Sequence, residues 1–214
     1  MMFSPYLGKE YSNDEIKKAF RMHKETIQIE LCGDVFLKAA ASIAAGKIVG
    51  WFQGRSECGP RALGNRSILA DPRDPRMKDH LNANVKFRES FRPFAPSVLW
   101  ERQQEYFHLD IPSPYMLMVS NILEEKQHLI PSVTHVDGTG RLQTVMKELN
   151  PRFYKLIERF DEITGIPIVL NTSFNIRGEP IVETPDDAIR CFLGTGIDEL
   201  YINDYFIQKI NCYV

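Results

Sequence analysis

The 214-residue sequence has only four cysteines, Cys32, Cys58, Cys191 and Cys212, with no Cys-x-x-Cys spacing. That pattern excludes a disulfide framework and a zinc ribbon, and it predicts reduced thiols in a cytoplasmic protein. No apolar run approaches the ~20 residues of a membrane helix. The opening MMFSPYLGKEYS lacks a basic stretch followed by an apolar one, so it does not read as a secretory signal. There is no excess of one charge: 26 Lys+Arg stand against 28 Asp+Glu, a net of −2, which argues against a globally basic nucleic-acid binder. Repeats, low-complexity tracts and long linkers are missing too. What remains, 43% hydrophobic and 25% charged, is the mix of a globular protein with a core. The length suits one large domain, or one domain with a small appendage.

The overall balance hides a local one. Between Arg55 and Arg92 there are seven Arg and two Lys against five acids, so this stretch is +4 and the rest of the chain is −6. Half of the fourteen arginines lie here, mixed with Gly and Pro and without a helical stripe. A solvated loop with local ion pairs accounts for many basic stretches. A pocket for a multiply charged anion is the sharper reading, because the planar guanidinium binds phosphate bidentately.

Local patterns alternate between helix and strand. Ser12 with Glu15 forms a capping box for a helix through about Met22, and Thr26–Leu31 alternates like a half-buried strand. Asp34 caps a second helix stopped by Gly46, and Lys47–Gln53 reads as a strand. A short helix is expected around Pro75–Val85. Tyr115–Val119 and Arg141–Val145 look like strands. Pro151 opens an amphipathic helix with Phe153, Leu156, Ile157 and Phe160 on one face, ended by Gly165. Ile166–Leu170 is apolar enough for a strand buried on both faces. Thr184-Pro-Asp-Asp187 starts another helix, and Glu199–Asn203 and Tyr205–Lys209 finish as strands. Together these predict a mixed α and β domain around one twisted sheet.

Three polar clusters interrupt the apolar pattern next to strands, where ligands of open sheets sit. The first, GRSECGPRALGNRS from Gly54 to Ser67, projects Arg55, Arg61 and Arg66 from an irregular Gly-rich backbone; Arg66 is the one expected to bind backbone carbonyls instead of ligand. It is neither a P-loop nor a dinucleotide fingerprint. In the second, VKFRESFRPF from Val85, an extended backbone would set Lys86, Arg88, Ser90 and Arg92 on one side and Phe87 and Phe91 as core anchors on the other. Glu89 balances part of that charge, and a basic edge strand is the plainer alternative. In the third, LNTSFNIRGEP from Leu170, Asn171, Ser173 and Asn175 alternate and offer donors to phosphate or carbonyl oxygens; an Asx-turn explains one or two of them. A weaker cluster, THVDGTGR, holds His135 and Asp137, which more often form a hydrogen-bonded turn than a metal site. Arg141 at its end is a better anion contact.

Together GRSECGPRALGNRSILADPR, LNANVKFRESFRPFAPS, SPYML, HVDGTGRLQTV and TGIPIVLNTSFNIRGEPIVETPDDAIRCF resemble the C-terminal domain of the O-carbamoyltransferases of nodulation-factor and antibiotic biosynthesis. The resemblance covers most of Lys47 to Lys209. It implies an α+β, YrdC-like fold: a twisted mixed β-sheet flanked by helices, shared with threonylcarbamoyl-adenylate synthases. Lys86-Phe-Arg88 and Ser173-Phe-Asn175 fit the KxR and SxN motifs of those synthases. The resemblance further implies that the domain takes carbamoyl phosphate and ATP and forms carbamoyl-adenylate, releasing phosphate and pyrophosphate. Lys86, Arg92 and Ser173 would be catalytic. Arg55, Arg61, Lys86, Arg88, Arg92, Arg141, Asn171, Ser173 and Asn175 would bind the two substrates. Mg²⁺ would accompany ATP, held by nucleotide phosphates and water, with no dedicated protein metal site. Cys58 departs from the family, which usually has an aromatic there.

On this reading residues 1–46 form an N-terminal extension packed on a 47–214 domain, with Ser4–Gly8 resembling an interdomain junction. The family's actin-like domain, which passes the carbamoyl group to a hydroxyl, has no room in 214 residues. It would act as a partner in cis or as a separate subunit. The alternatives are an RNA-binding module or a non-catalytic interaction domain of the same fold; neither a membrane nor nucleic acid is the expected partner.

Overall fold

A computed structural model describes residues 3–210. Six α-helices alternate with nine strands: α1 (Asn13–Met22), β1 (Ile27–Leu31), α2 (Val35–Ala44), β2 (Val49–Phe52), β3 (Arg66–Ala70), α3 (Met77–Leu81), β4 (Ala95–Leu99), β5 (Met118–Asn121), α4 (Glu124–Gln127), β6 (Thr139–Val145), α5 (Pro151–Thr164), β7 (Ile168–Ser173), α6 (Pro185–Leu193), β8 (Glu199–Ile202) and β9 (Tyr205–Lys209). The strands form one mixed sheet in the order β1-β9-β8-β2-β3-β7-β4-β6-β5. Among the described residues only β2/β8 and β4/β6 run parallel. Cys212 lies outside the described residues; Cys32, Cys58 and Cys191 are free thiols.

The helices begin where their caps dictate. Ser12 and Glu15 close a reciprocal capping box on α1, and Thr184 with Asp187 does the same on α6. Asn150 caps α5 and Gly165 ends it in the left-handed conformation. Phe153, Leu156, Ile157 and Phe160 are fully buried beneath the sheet centre. The central strands β2, β3 and β4 are buried along their whole length, as a sheet covered by helices requires. β1 joins this sheet through β9, so residues before Lys47 contribute a strand and two helices to the same core.

Several expectations fail for identifiable reasons. β1 is a sheet edge, and only Ile27 of its five residues is buried, so the alternation of Thr26–Leu31 does not mark two faces. The 115–119 strand begins only at Met118, because Met116 takes a left-handed backbone (φ 55°). β3 and β4 were not legible as strands, since basic and Pro-rich neighbours mask their short apolar runs. The largest correction concerns the 85–94 segment. It is not extended. α3 runs on into a π-turn over Asn82–Lys86 that ends with Phe87 in the left-handed region. Phe87 and Phe91 are therefore exposed, and Phe94 is the buried anchor.

Candidate active site

Two loops and three strand ends build the site. The 54–66 loop is tied down from opposite electrostatic sides. The Glu57 carboxylate accepts the backbone N–H groups of Leu63 (2.7 Å), Asn65 (2.7 Å) and Arg66 (3.2 Å). The Arg66 guanidinium, fully buried, stacks 3.6 Å over the Phe52 ring and donates to the carbonyls of Gln53, Asn65 and Gly54. Arg66 thus has the structural role expected of it. Gly64 (φ 106°) brings the loop against Phe153, where a Cβ would lie 2.2 Å from the ring. The fixed loop presents Arg61.

Asn82 holds the second loop. Its Oδ1 accepts Arg88 Nε–H at 2.7 Å, and its Nδ2 donates to the carbonyls of Arg92 (3.2 Å) and Ser90 (3.4 Å). Arg88 also lies over Phe94 at 4.7 Å.

Arg61, Arg88, Arg92 and Arg141 converge on one cavity of about 300 Å³, together with His135, Val119 and Phe94. An adjoining space of about 100 Å³ shares Arg61, Arg88 and Arg141 and reaches Asn171, Thr172 and Ser173 at the end of β7. Arg141 comes from β6. None of these four arginines forms an ion pair among the described residues. The Nε–H groups of Arg61 and Arg141 are buried and meet no acceptor. Burial holds the Arg141 guanidinium below its usual range, and the charge of Arg61 adds to the effect. Burial does the same to Arg88, with Arg92 and Arg141 repelling it. Four guanidiniums that form no ion pair among the described residues thus gather in one hollow, with the Glu89 charge offsetting only part of Arg88 and Arg92, a charge arrangement able to receive an anion.

Lys86 lies behind this cavity. It is 4% exposed, and its ammonium is held by Ser173 O, Ser173 Oγ (3.3 Å), Asn175 O (3.0 Å) and Asn175 Oδ1 (2.9 Å). Burial, with Arg88 second, pushes its pKa down to about 7. The KxR and SxN segments thus meet through this cluster. Asn175 packs behind Ser173 and donates to Glu179 O, and it does not line the cavity. Arg55 points to solvent away from the cavity.

Asn171 differs in kind from a phosphate donor. Its Nδ2 is spent on Ala62 O, Ser97 Oγ and Gln143 Oε1. Ser97 gives its only proton to Gln143, so every neighbour there accepts, which fixes the amide's orientation. The free atom is Oδ1, a buried acceptor without a partner among the described residues. Glu57, Asn82 and Gln143 organise the site and were not singled out in the sequence, because their partners are backbone atoms or residues distant in the chain. Among the described residues no group of three His, Cys, Asp or Glu side chains is placed to hold a metal.

Comparisons with known proteins place these features in a family. Residues 40–209 match the family described as "Carbamoyltransferase C-terminus". The nodulation protein NolNO of Sinorhizobium fredii is 49% identical over 97% of this chain and 30% of its own length. The 3'-hydroxymethylcephem-O-carbamoyltransferase of Streptomyces clavuligerus is 38% identical over 80% of this chain and 32% of its own. The chain spans about a third of the length of the curated relatives it matches. Two solved HypF structures share the fold, one from T. kodakarensis (TM-score 0.54, 18% identity) and one in a phosphate- and nucleotide-bound form (TM-score 0.53, 20% identity). Each covers 86% of this chain, and this chain corresponds to 23% and 22% of theirs. The mixed α+β, YrdC-like sheet flanked by helices is the architecture observed.

Proposed function

The chain belongs to the carbamoyltransferase C-terminus family, and we propose that within it this domain binds carbamoyl phosphate and ATP and makes carbamoyl-adenylate. One observation carries the reading: Arg61, Arg88, Arg92 and Arg141 face a single cavity and form no ion pair among the described residues, the Glu89 charge offsetting only part of Arg88 and Arg92. Two phosphorylated substrates would supply the missing negative charge.

The chemistry asks for positioning and charge neutralisation more than for covalent help. Water attacks the carbonyl carbon of carbamoyl phosphate, the carbon–oxygen bond to phosphate breaks, the departing phosphate takes one proton of the water and solvent takes the other, and a carbamate remains. A carbamate oxygen then attacks the α-phosphorus of ATP and pyrophosphate departs. Arg61, Arg92 and Arg141 hold phosphate oxygens. Arg88, tethered to Asn82, adds a fourth positive group at the cavity wall. Ser173, at the end of β7, meets the carbamoyl and α-phosphate oxygens, and the Lys86 ammonium bound behind it adds positive charge without lining the cavity. Among the described residues the cavity walls contain no carboxylate, so Mg²⁺ accompanying ATP would be held by nucleotide phosphates and water and would neutralise the triphosphate. Transfer to a hydroxyl acceptor is assigned to an actin-like partner domain, in cis or as a separate subunit, in a cytoplasmic setting.

The test is pyrophosphate release by the purified chain with MgATP. Release that requires carbamoyl phosphate, and falls at least a hundredfold in Arg61→Ala, supports the proposal. ATP turnover indifferent to carbamoyl phosphate, or formation of a carbamoylated acceptor by this chain alone, refutes it. An RNA-binding role gains no support from guanidiniums gathered around one cavity instead of arrayed along an open track.

A further inference from the structure

Carbamoyl phosphate and acetyl phosphate have the same shape and charge, and differ only in an NH₂ where the other has a methyl. Guanidinium and ammonium groups are donors throughout, so four arginines and a lysine cannot tell the two apart. Discrimination needs an acceptor that faces the cavity and meets the amide N–H.

His135 is such a group. It lines the cavity beside Arg61, Arg88, Arg92 and Arg141. Its Nδ1 lies 3.2 Å from Thr139 Oγ1. The Thr139 hydroxyl has one proton, which it donates to Asp137 Oδ1 at 2.7 Å. Asp137 also accepts Thr139 N–H, and these bonds hold its carboxyl below the usual range, as an ionised acceptor. Thr139 Oγ1 can therefore only accept from the imidazole, so Nδ1 carries the ring proton. Nε2 is left with a lone pair, and it makes no hydrogen bond among the described residues. Burial lowers the pKa of the ring, and the charges of Arg141 and Lys78 work against that of Asp137, which favours the neutral imidazole. The backbone pins the turn, with His135 N–H donating to Thr139 O at 2.8 Å.

We infer that His135 Nε2, oriented through Thr139 and Asp137, accepts an N–H of the carbamoyl group and so selects carbamoyl phosphate over acyl phosphates of the same shape. The inference rests on carbamoyl phosphate being the occupant. A site built to receive a substrate N–H penalises the analogue that lacks it, because the acceptor is then left unpaired. Asn171 Oδ1, a further side-chain acceptor without a partner among the described residues, lies in the adjoining space, oriented by the bonds its Nδ2 donates to β4 and β6.

The experiment compares binding of carbamoyl phosphate, acetyl phosphate and inorganic phosphate by calorimetry on the full chain. Wild type is expected to prefer carbamoyl over acetyl phosphate. His135→Ala should cut that preference about tenfold while leaving inorganic phosphate within about twofold. His135→Gln, which keeps an acceptor, should restore part of it, and Thr139→Val should lose part. Retention of the full preference in His135→Ala, or an equal loss for all three ligands, overturns the inference. Carbamoyl phosphate binding wild type no better than inorganic phosphate overturns the underlying reading as well. A ¹⁵N spectrum gives a readout independent of any variant: His135 should be the Nδ1–H tautomer near neutral pH, and an Nε2–H tautomer sinks the proposal.

Discussion

Arg61 and Arg141, 80 residues apart in sequence, line one cavity, and each holds a buried Nε–H with no acceptor among the described residues. Their repulsion is a cost of the ligand-free protein, roughly 1 kcal/mol for a close pair in high dielectric. Arg141→Ala should therefore raise stability in anion-free buffer by up to about 1 kcal/mol. Saturating phosphate, at 100 times its Kd, should stabilise wild type by about 2.7 kcal/mol and the variant by less than half of that. Thermal melts with and without phosphate measure both. A variant that is less stable and keeps the full phosphate response contradicts the anion-site assignment.

Lys86 should titrate near 7, where burial has pushed it. Between that value and the ordinary lysine range, the unfolded chain carries a proton that the folded chain lacks. From this group alone, stability rises with pH across that window and falls as pH drops toward 7. An anion bound beside Ser173 favours the ammonium, so binding near pH 7 should take up protons. Calorimetry in buffers of different ionisation enthalpy reads that uptake. Lys86→Met should abolish it and flatten the stability profile between pH 7 and 10.

Glu57 receives three backbone N–H groups and fixes the loop that carries Arg61. Glu57→Ala leaves those donors unpaired and should cost roughly 2–4 kcal/mol in urea denaturation. Anion affinity should fall with it. Glu57→Gln retains one oxygen and should show the smaller loss on both measurements; the reverse order would refute the role given to the carboxylate.

Gly64 adopts φ 106° directly over Phe153. Gly64→Ala meets both an unfavourable backbone and the ring, and should destabilise by roughly 2–4 kcal/mol, seen as a lower urea midpoint. Gly59, with a similarly positive φ but nothing within 4 Å, separates the two effects. Gly59→Ala should suffer only the backbone strain, roughly 1–2 kcal/mol.

The local code of the chain is legible by itself. Caps at Ser12, Asp34 and Thr184 and the proline Pro151 mark the starts of α1, α2, α6 and α5, and the spacing of Phe153, Leu156, Ile157 and Phe160 identifies the buried face of α5. The concentration of arginine between Arg55 and Arg92 marks the stretch that supplies Arg61, Arg88 and Arg92, three of the four arginines lining the cavity. What each polar residue does was decided only by the tertiary structure. Lys86 turned inward because α3 continues into a π-turn, and no short-range pattern encodes that turn. Asn171 lost its donors to Ser97 and Gln143, which β4 and β6 bring beside it from 74 and 28 residues away. Arg55 and Arg61 share a loop, yet one faces water and the other the cavity. Residue type and spacing fix which groups are available. Whether a group is free to act depends on which partners the sheet order places against it, and those partners are remote in sequence.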